Sequence, residues 1–136
     1  MARGRGFTLI ELLIVLVVIG VLAAIAIPKY ANTKEKAVRS SMVTDLRNLA
    51  TAQEAFFADS SKYAAAYGTT VGAGQTPFTP SKANAVKIVS ADGTGWAATV
   101  TNPNYKSGAS SCGIYAGPAF AGSATGALVE HVPDCQ

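Results

Sequence analysis

The sequence predicts an α+β fold in which one long N-terminal helix, its first half crossing a membrane, packs on a small antiparallel β-sheet with a C-terminal disulfide loop. Three observations predict it. Residues Phe7 to Ile27 form an apolar run whose only charge is Glu11. From Lys29 to Ala58 there is neither Gly nor Pro, and apolar residues recur at three- and four-residue steps. Beyond Ala85, short alternating or β-branched segments are separated by turn residues, and the two cysteines, Cys112 and Cys135, lie among them.

The apolar run, FTLIELLIVLVVIGVLAAIAI, follows a short basic stretch, Met1-Ala-Arg-Gly-Arg-Gly6, and stops at Pro28 and Lys29. Its 21 residues, at a helical rise of about 1.5 Å each, span about 32 Å, the hydrocarbon thickness of a bilayer. A cleaved secretory signal is the alternative, because Ala24 and Ala26 imitate the small-x-small pattern of its cleavage site. Against it, the run is longer than the ~7–15 residues of a signal core, and it carries Glu11. A carboxylate within a membrane-length segment is costly in lipid and marks a functional group that needs a partner.

Gly6-Phe7-Thr8-Leu9-Ile10-Glu11-Leu12, together with Gly20, the stretch Leu22 to Pro28 and Tyr30, resembles the N-terminal signature of type IV pilins and of their type II secretion relatives, the pseudopilins. The resemblance covers about the first fifth of the chain. It implies a pilin fold with a leader at residues 1–6, a membrane and assembly half-helix at 7–28, and a globular domain with helix continuation and sheet at 29–136. It further implies that a prepilin peptidase in the membrane cuts between Gly6 and Phe7 and methylates the new Phe7 amine. The implied product is a helical homopolymer, extended or retracted by an assembly machinery with cytoplasmic motor ATPases. The protein would rest in the inner membrane, N-terminus in the cytoplasm, before joining an extracellular filament.

The position of Glu11 makes physical sense in that setting. With residues 1–6 removed, the Phe7 amine and Glu11 lie about one helical turn apart on one side, and a negative group in the first turn suits the helix dipole. A carboxylate buried among apolar helices needs a cation, since an unpaired buried charge costs several kcal/mol. The resemblance implies that Phe7 of a neighbouring subunit supplies it and so sets the register of addition. The alternative is a pair between Glu11 and Phe7 of one chain, without an assembly role.

After Pro28 the helix is predicted to continue to about Ala58. Val38, Met42, Leu46, Leu49, Gln53 and Phe56 form its stripe, widened by Val43, Ala50 and Phe57, while Lys36, Arg39, Asp45, Arg47 and Glu54 face outward or sideways. Asp59-Ser60-Ser61 marks its end. Residues Ala64 to Asn84, low in charge and rich in Ala, Gly, Thr and Pro, read as an irregular connector. Ala85–Ser90 and Trp96–Thr101 then form a hairpin about Asp92-Gly93-Thr94-Gly95, and Cys112–Ala116 and Ala127–Val132 are candidates for two further strands.

With a membrane segment upstream and no other ligands at metal spacing, Cys112 and Cys135 point to a disulfide formed in an oxidising compartment, with two free thiols as the alternative. The closed loop of 24 residues is worth about 3 kcal/mol of chain entropy.

No metal site, cofactor or catalytic constellation is expected. His131 stands alone with Glu130 and Asp134 in a loop, Gly72-Ala73-Gly74 lacks the lysine of a phosphate loop, and Glu130 is the one carboxylate between residues 103 and 133 that a calcium loop could use. The net charge of +3 includes Arg3 and Arg5, so residues 7–136 carry nine basic against eight acidic side chains. Nucleic-acid binding is possible but not indicated by that balance, although Lys29, Lys34, Lys36 and Arg39 cluster after the apolar run, where a solvated face or lipid headgroups account for them. Charge counting alone would not place the N-terminus in the cytoplasm; the leader and the cysteines favour it. The resemblance to pilins raises electron conduction along Phe7, Tyr30, Phe56, Phe57, Tyr63 and Tyr67 as a minor reading, and core packing explains Phe56 and Phe57 equally well.

Three functions remain open on the sequence. They are a type IV pilus subunit serving adhesion, motility or DNA uptake, a secretion pseudopilin, and a membrane-tethered minor pilin that binds a ligand. The disulfide loop and the scarcity of calcium-loop carboxylates lean toward the pilus.

Overall fold

Helix α1 runs from Leu9 to Ser60, 52 residues, with Pro28 inside it. The structure is a computed structural model that describes residues 6–69, 74–106 and 110–135. The chain divides into two compact units, Met1–Lys34 and Glu35–Gln136. In the first, α1 starts on a reciprocal cap. Thr8 N–H donates to Glu11 Oε2 at 2.8 Å, and Glu11 N–H donates to Thr8 Oγ1 at 3.3 Å, so the two residues satisfy each other's donors at the helix start. Pro28 has no N–H to offer the Ala24 carbonyl, yet the helix continues.

In the second unit, α1 buries Met42, Leu46 and Leu49, the centre of the predicted stripe, with Val38, Phe56, Val43, Ala50 and Phe57 half-buried beside them. Ser60 Oγ bonds the Phe56 and Lys62 carbonyls, and Ser61 turns the chain out of the helix at φ 55°. The sheet is β3 (Ala85–Ala91), β4 (Trp96–Thr101), β5 (Ser111–Ala116) and β6 (Asp134–Cys135), antiparallel throughout and in that spatial order. The hairpin between β3 and β4 falls where the sequence places it. A bulge between Ile88 and Ser90 leaves Val89 unpaired and exposed.

Alternation along the central strands assigns two faces. Trp96, Ala98, Val100, Cys112, Ile114 and Ala116 join Met42, Leu46 and Leu49 in the main core. Ala97 and Tyr115 point the other way and are covered by Phe120, Ala124 and Ala127 of the C-terminal loop. That close cover requires Gly113: a Cβ there would overlap the Thr125 carbonyl and meet the Ala124 methyl at 3.0 Å.

Three expectations are corrected. The connector at 64–84 is not wholly irregular, since β1 (Ala66–Gly68) and β2 (Gln75–Pro77) pair in parallel, with residues 70–73 outside the description. Ala127–Val132 is no strand; Ala127 packs on the second sheet face and His131 takes φ 59°, which breaks an extended run. The last strand is instead Asp134–Cys135, held beside β5 by the disulfide.

Asp45 is the third correction. It lies only 3% exposed on the core side of α1, where its carboxylate accepts from Ser81 N–H at 2.9 Å, Ser81 Oγ at 2.8 Å and Asn84 Nδ2 at 2.7 Å. Asn84 Oδ1 in turn accepts from Asn102 Nδ2 at 2.6 Å. Farther along α1, the buried Gln53 amide bonds both N–H and C=O of Ala64, and Thr76 Oγ1 reaches the Ala52 carbonyl. Polar anchors therefore seat the connector on the helix, because a buried polar group is stable only when bonded.

Candidate processing and assembly site

Gly6 and Phe7 stand in the open before α1, Phe7 85% exposed and Gly6 with free space about its Cα. Among the described residues nothing crowds that bond. Residues 1–5, including Arg3 and Arg5, lie outside the described residues. From Phe7 to Ile27 every side chain but the half-buried Ala23 is exposed. The helix is long and apolar enough to cross a membrane. Such a surface is stable only in lipid or against other apolar helices.

Glu11 accepts two bonds from Thr8, from its N–H and from Oγ1 at 2.7 Å. The structure thus gives this carboxylate an intrachain partner other than Phe7, whose nitrogen is an uncharged amide while residue 6 is attached. The spacing Thr8-x-x-Glu11 is itself the signal of a capping box and was legible in the sequence. One side of Gly20 is open as well, so a second helix could approach closely there.

In the other unit the structure brings Cys112 and Cys135 together as a disulfide, with Cα atoms 3.9 Å apart in directly paired positions of β5 and β6. Neighbouring Asp134 takes Arg39 of α1 at 3.4 Å, so Arg39 is not available to a cationic cluster with Lys29, Lys34 and Lys36. Those three lysines are exposed. His131 is exposed 4.0 Å from Glu54, and Glu130 accepts the Gly117 N–H. Gly72 and Ala73 fall outside the description. Phe57 and Tyr63 stack at 4.6 Å, and Tyr63 and Trp96 are 6.5 Å apart, as core packing requires.

Two groups here titrate away from their ordinary range. Burial, and then the charge of Glu54, raise the Tyr63 hydroxyl, which donates to Glu54 Oε1. Asp92, which closes the β3–β4 turn, is lowered by the bonds it accepts from Thr94 N–H and Oγ1 and from Gly95 N–H.

Residues 1–27 match the family model of the prokaryotic N-terminal methylation motif. The chain carries that motif. It is also 49% identical over 61 residues to the type IV major pilin protein PilA of Myxococcus xanthus, covering 45% of this chain and 28% of that protein. To the type II secretion system core protein G of Klebsiella pneumoniae it is 44% identical over 63 residues, covering 46% of this chain and 45% of the relative. The corresponding protein of Escherichia coli K12 is 39% identical over 61 residues, 45% of this chain and 42% of the relative. The matched stretch therefore spans less than half of each relative. The methylation motif coincides with the exposed apolar helix and its Thr8–Glu11 cap.

Proposed function

We propose that this chain is a pilin-like structural subunit, without enzymatic activity, that polymerises through its N-terminal helix into a type IV pilus filament. The observation that carries the reading is a methylation motif lying on a membrane-length apolar helix with no cover of its own. Removal of residues 1–6 by a prepilin peptidase would convert the Phe7 amide into a charged, N-methylated amine. Glu11 could then exchange its local Thr8 bonds for the amine of a neighbouring copy. Before assembly the apolar run would hold the subunit in the inner membrane, and the disulfide supports a position of residues 29–136 on the oxidising side.

A pseudopilin of a type II secretion system is the second reading, and one observation favours it. Core protein G of the type II secretion system, in Klebsiella pneumoniae and in Escherichia coli K12, matches over a stretch as long as the pilin match. The test is to shear the cell surface and analyse the released fraction by mass spectrometry. Long fibres whose subunit begins at methylated Phe7 support the pilus. An N-terminus near residue 27, or an intact Met1 in fibres, would remove the maturation scheme. A processed subunit that never leaves the envelope would favour the pseudopilin. Gly6→Leu should leave residues 1–6 attached, because a side chain then blocks close approach to the backbone.

A further inference from the structure

Among the described residues of the unit Glu35–Gln136, the large apolar side chains that stand exposed are Val89, at the bulge, and Leu128, Val129 and Val132, at 73%, 58% and 48%. Three of these four thus sit within five residues of the C-terminal loop. Acidic groups border them. Glu130 lies inside the segment, and Glu54, its side chain 51% exposed, stands 4.0 Å from His131. Both carboxylates are near enough to the Tyr63 hydroxyl to disfavour its ionisation. The patch is apolar with an anionic rim.

The same chain exposes a complementary stretch on α1. Lys29, Lys34 and Lys36 are exposed and none forms an ion pair among the described residues. Tyr30, 73% exposed, lies one turn from Lys34 on the same helix face. We propose that the Leu128–Val132 patch with Glu54 docks onto the Lys29–Lys36 stretch of a second copy of this chain.

This inference rests on the filament reading and adds a contact outside the apolar helices. The two surfaces differ, so the contact is head to tail, and a head-to-tail contact that does not close into a ring propagates as a fibre. Lys36 and Glu54 lie 18 residues apart on α1, about 27 Å along the axis. Parallel copies offset by about that distance would bring the lysine of one level with the glutamate of the other. Apolar contact supplies the affinity, and the charges choose the offset.

The test uses the full-length chain in cells that assemble it, with sheared fibre and membrane-retained subunit measured together. Lys36→Glu and Glu54→Lys should each lower fibre yield about tenfold, because each sets like charges against one another, and the double variant should regain most of it. Retained subunit with an intact Cys112–Cys135 bond shows that the variants fold. Independently of charge, a chain carrying both Lys36→Cys and Val129→Cys should give a ladder of covalent oligomers on oxidation of fibres. Fibres that form normally in both single reversals and yield no ladder overturn this inference alone. If the reversals leave fibres intact but abolish attachment to a surface, another partner occupies the patch and the inference fails. A wild-type chain that makes no fibres overturns the filament reading itself.

Discussion

Replacing Asp45 by Ala isolates the buried polar anchor between α1 and the connector. The substitution removes three accepted hydrogen bonds. The exposed Ser81 hydroxyl can turn to water, but the Ser81 N–H loses its acceptor and the buried Asn84 amide keeps only the longer bond to Ser41 Oγ, at 3.3 Å. A buried donor without a partner costs about 1–3 kcal/mol, and deleting a buried charge returns part of that, so the net loss should be about 2–4 kcal/mol. For a domain near 100 residues each kcal/mol moves the melting temperature by about 4–8 °C, which gives a fall of about 10–25 °C. The unit Glu35–Gln136 carries its own core, so a version lacking residues 1–28 should be soluble and, at the dilution of a circular-dichroism experiment and without the contacts of the apolar helix, monomeric enough for thermal unfolding. Asp45→Asn, which keeps one acceptor oxygen, should lose less. A melting temperature for Asp45→Ala within about 2 °C of wild type would refute the reasoning, since it would mean the connector is seated by apolar contact alone.

Two other perturbations separate the remaining supports. Cys135→Ser should destabilise the same soluble version by about 2–5 kcal/mol, measured by urea unfolding, and non-reducing peptide mapping of wild type should join Cys112 to Cys135; free thiols in surface filaments would contradict this. Asp92 is lowered in the folded state, so its contribution is present above the ordinary carboxylate range and is lost as pH falls through its folded pKa. Stability measured against pH should therefore decline less steeply in acid for Asp92→Asn than for wild type, and identical acid limbs would contradict the assignment.

The parts legible in the sequence were those with a period or a strong local signal. Met42, Leu46, Leu49 and Gln53 announce the buried helix face by their spacing, and Asp92 and Gly95 bracket the hairpin turn. Asp45 was misread because charge suggests solvent, yet at 100° per residue it lies within about 60° of Met42 and inside the same stripe. Position on the helix outweighed residue type once Ser81 and Asn84 could satisfy the carboxylate. Strands β1 and β2 have three residues each, too few for alternation to register, and their seating depends on tertiary partners such as Gln53 and Thr76. Ala127–Val132 has strand-like composition but buries only its first residue, and the Cys112 link decides that Asp134–Cys135 pairs instead. At the candidate site, Glu11 stood out as a charge in an apolar run, whereas its bond to Thr8 required reading the Thr-x-x-Glu spacing as a cap.

The most direct test of assembly through the N-terminal helix compares sheared filament with membrane-retained subunit for wild type, Glu11→Val, Glu11→Asp and Thr8→Ala. Loss of the cap alone, in Thr8→Ala, costs about 0.5–2 kcal/mol at one end of a 52-residue helix and should leave fibres largely intact. Glu11→Val removes a charge from hydrocarbon, so it should insert at least as well as wild type and still form the disulfide, yet it should yield few fibres because the Phe7 amine of the next copy has no counter-charge. Glu11→Asp, a methylene shorter, should fall between them. Normal fibre yield from Glu11→Val would contradict the account and leave register to helix packing about Gly20.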